Sequence, residues 1–145
     1  MAHMSRSSNL QDVPLPLRGK LSALWASVMF CYIYADYFGL YVPGKLQSML
    51  EGQMRPLGPA TQGVLLGTSV MLAIPALMIA VSALFPTQPN RWLNIIFGAV
   101  YTGIILLTMW SWAFFVFYGI IEVALTVTIV WCAWSWPRVS SLLQS

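Results

Sequence analysis

The chain has 145 residues, 59% of them hydrophobic and only 8% charged, with a formal net charge of +3. A soluble domain carries about 25% charged residues, so this composition and a mean hydropathy of +0.74 exclude an ordinary soluble protein and imply one integral membrane domain. The basic residues are scattered rather than massed on one face, so no nucleic-acid partner is expected.

Met1-Ala2-His3-Met4 reads as a cloning scar, with the natural start expected at Met4 or Ser5. His3 is the only histidine, so a His-based metal or haem site is not expected, and no cofactor is. Residues 1–19 contain Pro14, Pro16 and Gly19 and read as a flexible arm. They lack a signal-peptide pattern. The first span is expected over about residues 21–41, ending at Val42-Pro43-Gly44. Residues 45–55 (KLQSMLEGQMR) place Leu46, Met49, Leu50 and Met54 on one helical face, which predicts a short amphipathic helix lying on the membrane surface.

The second span is expected over 62–84, with Pro75 in its middle freeing a carbonyl near Met71. Gly63 and Gly67 form a GxxxG pair that suits close helix approach. Residues 86–91 read as a compact turn, followed by spans over about 93–111 and 114–136 and a tail over 139–145. The fold expected is therefore all-α: an integral membrane four-helix bundle over 20–138, with a surface helix between the first two spans. Cys31 and Cys132 form no C-x-x-C motif and are expected to be free, buried thiols.

Five basic residues (Arg6, Arg18, Lys20, Arg91, Arg138) fall on the side of the termini against Lys45 and Arg55 on the other. That asymmetry predicts cytoplasmic termini in a plasma or inner membrane. Trp25, Tyr41, Trp92, Trp110, Trp112, Trp131, Trp134 and Trp136 lie near expected span ends and read as interfacial belts.

Two of the four acids fall inside spans: Asp36 in CYIYADYFGLY and Glu122 in YGIIEVALT. A membrane-centre Asp costs roughly 2.5–3.5 kcal/mol on insertion scales, so a chain that keeps two such groups uses them or pairs them. The expected boundaries place both in the outer half of the bilayer at similar depth. No Lys or Arg lies in any span to neutralise them. Tyr32 precedes Asp36 by four residues, and Tyr118 and Thr126 flank Glu122 at the same interval, sharing a helix face with it. Tyr101, Thr102 and Thr108 add hydroxyls from the third span. Asp36, Glu122, Tyr32, Tyr101, Tyr118 and Thr126 are thus candidate ligand-binding residues. The plain alternative is structural: buried polar groups also act as interhelical glue, and Asp36 is shallow enough to reach headgroup water.

The runs LSALWASVMFCYIYADYFGLYVPGKL, AIPALMI, NRWLNIIFGAVYTGIILLTM and IEVALTVTIVWCAWSWP together resemble a family of small bacterial four-span membrane proteins labelled as having unknown function. The resemblance implies the architecture above, and it matches Asp36 and Glu122 to acids of the family. It implies no activity.

Three functions compete on these grounds. The first is binding or movement of a small neutral or cationic apolar molecule, proton-linked, in a homo-oligomer, with residues 45–55 as a lid. The second is a non-catalytic scaffold or partner subunit. The third is an intramembrane acid/base enzyme on a lipid-like substrate, although no Ser-His or Cys-His pair is present and no catalytic residue is assigned.

Overall fold

The computed structural model describes residues 14–137. Most of the N-terminal arm, with His3 and Arg6, and the tail from Arg138 onward lie outside the described residues. Five helices follow in order: α1 (Leu17–Gly39), α2 (Lys45–Leu50), α3 (Gln62–Leu84), α4 (Thr87–Thr108) and α5 (Ala113–Trp134). All but α2 are long and apolar enough to cross a membrane, which marks a multi-pass membrane protein. α1 packs on both α3 and α5, and α4 packs on α5, while α3 and α4 touch far less.

Most boundaries follow from local chemistry. Thr61 caps α3 by accepting a hydrogen bond from Val64 N at 3.3 Å, so this span begins and ends where the sequence places it. α1 begins earlier than expected, at Leu17, because Pro16 at φ −53° and ψ 145° is a compatible flanking residue. It ends earlier too, as Leu40, Tyr41 and Val42 unwind through three-residue hydrogen bonds to Tyr37, Phe38 and Gly39.

Two expectations are corrected. The amphipathic helix over 45–55 stops at Leu50. Gly52 takes φ +71°, and the bonds Gln53 N to Ser48 O (2.9 Å) and Gly52 N to Met49 O (3.0 Å) close a Schellman cap. Residues 52–60 then fold back as a compact loop held by Met54 N to Gly58 O (2.7 Å), Ala60 N to Gly52 O (2.8 Å) and Lys45 Nζ to Arg55 O (3.1 Å). Of the expected apolar face, Leu46, Met49 and Leu50 lie on α2 and are exposed, while Met54 falls in the loop and is half-buried.

The second correction concerns residues 86–91, expected as a turn before a span starting near 93. α4 starts at Thr87. Pro89 is tolerated there because the N–H groups of a first helical turn have no intrahelical acceptor to lose. The connection to α3 is only Phe85-Pro86, both in extended conformation.

That early start carries Asn90 into the bundle. Asn90, Asn94, Ser82 and Trp25 are all fully buried. Trp25 Nε1 donates to Asn94 Oδ1 at 2.7 Å, and Ser82 Oγ donates to the same oxygen at 3.1 Å. Asn94 Nδ2 donates to Asn90 Oδ1 at 2.7 Å, and Asn90 Nδ2 donates to Ser82 O at 2.7 Å. Trp25 is thus a core residue rather than part of the belt. Trp92, Trp110, Trp112, Trp131 and Trp134 are the exposed tryptophans. Arg91 extends the same end by donating from Nε to Ala133 O (3.1 Å) and from an Nη to Trp134 O (3.4 Å), satisfying the last carbonyls of α5. Leu21, Val28, Met78, Tyr101 and Ile129 complete the core around Trp25. Cys31 and Cys132 are free and half-buried.

Close helix approach occurs at Gly98, where a Cβ would come within 2.7 Å of Val130 Cγ2, and not at the GxxxG pair. Nothing but the Thr61 hydroxyl (3.9 Å) comes near a Cβ at Gly63, and nothing comes near one at Gly67. Gly98→Ala is therefore expected to destabilise the detergent-solubilised protein by about 1–3 kcal/mol, with Gly67→Ala near neutral for the single chain. Asn94→Ala strands two donors and an acceptor and is expected to cost about 2–4 kcal/mol. Equilibrium unfolding of the three variants checks both statements.

Candidate functional site

The acids are positioned by α1 and α5. Along α5, Gly119, Glu122, Thr126, Ile129 and Ala133 are buried at alternating three- and four-residue steps, so Glu122 points along the seam that faces the bundle. It is 4% exposed. Its Oε1 is fully enclosed and has no hydrogen-bond partner. Among the described residues only the Ser48 hydroxyl shares that condition.

Asp36 is different. It lies on α1 next to the buried Ala35, but is itself exposed. It is three residues from the end of α1, about 4–5 Å along the axis, whereas Glu122 is nine residues into α5, about 13–14 Å. Within the similar depth expected, Asp36 is thus the shallower carboxyl and Glu122 the deeper. They remain within electrostatic reach of each other. Lys45, at the start of α2, is within reach of Asp36. Among the described residues no salt bridge joins these groups.

Tyr32 is drawn to the same place, half-buried one turn below Asp36 and within electrostatic reach of Glu122. Its ring lies 6.5 Å from that of Tyr101. Cys31, which the sequence assigned no role here, is also within reach of Glu122. Only the register of α1 against α5 reveals that neighbour, since no sequence spacing links the two residues.

The remaining candidates are engaged elsewhere. The Tyr101 hydroxyl donates to Met71 O. That carbonyl is the one left without an intrahelical donor by Pro75, so the tyrosine repairs the break. Thr126 Oγ1 bonds the backbone carbonyl of Glu122 at 2.9 Å rather than its carboxyl, and lies 2.7 Å from Thr102 Oγ1 on α4. Thr108 bonds Ile104 O within its own helix. The Tyr118 ring stacks on Phe38 with centroids 6.4 Å apart. Tyr34, Tyr37 and Phe38 are all exposed, and Tyr37 and Tyr41 hydroxyls pair at 2.9 Å on the membrane face of α1. Tyr32, Asp36 and Cys31 are therefore the groups within electrostatic reach of Glu122, with the Tyr101 ring beside Tyr32.

Chemically the group offers unfilled acceptor capacity in an apolar, aromatic setting. No cluster of three or more metal-ligating side chains exists among the described residues.

Over residues 17–142 the chain matches the Family of unknown function (DUF6326), and it belongs to that family. No curated protein and no solved structure matches it.

The repair at Pro75 gives a sharp test. Tyr101→Phe is expected to cost about 1–2 kcal/mol of stability by orphaning Met71 O. In a Pro75→Ala background, where an N–H is restored to that carbonyl, the same change should cost markedly less. A double-mutant cycle measured by unfolding should give a coupling near 1 kcal/mol; additivity would disprove the repair.

Proposed function

We propose that this family member binds a small membrane-partitioned molecule, neutral or cationic, through a hydrogen-bond donor directed at Glu122. The observation that carries the reading is the enclosed, unpartnered Glu122 Oε1. Elsewhere in the spans the buried polar side chains of Trp25, Ser82, Asn90, Asn94 and Thr126 all find partners. Buried polar atoms in folded proteins are nearly always paired, and an exception calls for a group that fills it. A ligand N–H or O–H, or an ammonium, supplies one. Tyr32 and the Tyr101 ring form an apolar, electron-rich wall suited to the rest of such a molecule. Asp36, shallow and exposed, serves as the first contact on the path inward.

In this reading the acid end faces outward and the termini are cytoplasmic, as the Lys and Arg asymmetry favours, and the membrane is a bacterial inner membrane. Neither an acid/base reaction nor a metal is required.

A second reading, as a scaffold, is favoured by one observation: the Gly63 and Gly67 face is open to lipid, where another transmembrane helix can approach. Cross-linking in native membranes to a stable partner through α3 would favour it.

The discriminating experiment is thermal stabilisation of the purified protein by a panel of amphipathic amines and neutral donor-bearing molecules. A ligand should raise the melting temperature of the wild type, lose most of its effect in Glu122→Gln, and lose part of it in Asp36→Asn. Stabilisation that persists unchanged in the double variant would sink the proposal.

A further inference from the structure

A separate feature lies on the other side of α5, away from Glu122. Ala99 and Thr102 of α4, with Val127, Val130 and Trp131 of α5, line a groove of about 330 Å³. Ala99, Val127 and Trp131 are exposed, so the groove opens toward the lipid. It suits a length of acyl chain.

The same seam ends in a cation. Arg91 lies on α4 eight residues before Ala99, about 12 Å toward the terminal end. It reaches across to Ala133, two residues from Trp131. The guanidinium spends Nε and one Nη on α5 carbonyls and stands over the Trp92 ring at 5.7 Å. A guanidinium has five N–H groups, so donors remain for an anion after both bonds are made. Arg18 adds a second cation at this end, bonded to Thr87 at the start of α4 (2.9 Å). The acids of the described residues, Asp36, Glu51 and Glu122, all lie toward the opposite end or deeper in the bundle. Exposed Trp92, Trp131 and Trp134 mark the headgroup level.

We infer that the α4–α5 seam is a binding site for an anionic phospholipid of the leaflet at the terminal side, with the phosphate on Arg91 and an acyl chain in the groove. The headgroup gives the charge selectivity and the groove gives retention. The site is independent of any ligand at Glu122.

Native mass spectrometry of the delipidated protein, with phosphatidylglycerol or phosphatidylcholine of identical chains added in turn, tests it. The wild type should retain phosphatidylglycerol about fivefold better, the effect of one cation near an anionic surface. Ala99→Phe, which fills the groove and leaves Arg91 untouched, should lower retention of both lipids. Arg91→Gln should abolish the preference, and Arg91→Lys should keep part of it. Melting temperatures establish that each variant is folded; if Arg91→Gln is not, the Ala99→Phe and Arg91→Lys arms decide. Equal retention of the two lipids by the wild type would overturn the proposal, as would Ala99→Phe retaining them like the wild type. So would a wild-type dimer that Ala99→Phe converts to a monomer, which would make the groove a contact between copies.

Discussion

The Trp25–Asn94 hydrogen bond is the contact on which the bundle turns. α1 and α4 are not direct packing neighbours of any extent, yet this bond at 2.7 Å joins them through the core. Asn94 accepts from Ser82 on α3 with the same oxygen and holds Asn90, which in turn binds the last carbonyls of α3. In lipid there is no hydrophobic drive between helices, so packing and internal polar bonds must supply association. One satisfied network ties three spans at one end, and Arg91 ties the fourth.

The opposite end lacks such a tie. α3 has buried residues only from Pro75 onward, and its first half, with Leu65, Leu66 and Val70, faces outward. Tyr101 on Met71 O is the outermost polar link between α3 and α4. The molecule is therefore closed by polar bonds at the terminal side and held mainly by α1–α5 and α4–α5 packing on the loop side. Glu122 belongs to the loosely tied half, and its missing partner is consistent with that division.

How much of this was legible in the sequence differs residue by residue. Val42-Pro43-Gly44 and the run from Pro86 punctuate the chain in ways that local chemistry dictates, so the span count and the bounds of α3 were readable. The freed carbonyl at Met71 was readable too, because a proline removes a known donor; that Tyr101 answers it was not, since the two are 30 residues apart. Asn90 was hidden because Pro-Thr-Gln-Pro-Asn-Arg has the composition of a turn, and only the tolerance of a first helical turn for proline keeps it helical; Asn94 fell within the expected span, but its partners lie on other helices. Trp25 was misplaced because a tryptophan near a helix end looks the same whether it meets headgroups or a buried asparagine. The acids were found by cost alone. Their stagger was not, because hydropathy sets helix ends only to within a few residues, and each residue shifts depth by about 1.5 Å.

The stagger matters for what the two carboxyls can do. In the reading proposed above, the two acids divide the work: the exposed one lies within reach of Lys45, and the enclosed one has no hydrogen-bond partner at Oε1. An ionised carboxylate without a donor in a low-dielectric bundle is far more costly than any hydrogen bond the fold makes elsewhere. Among the described residues neither an Arg nor a Lys pairs with Glu122, and the Thr126 hydroxyl four residues on is committed to a backbone carbonyl. In the reading proposed above, the donor that Glu122 Oε1 lacks among the described residues comes from the bound molecule.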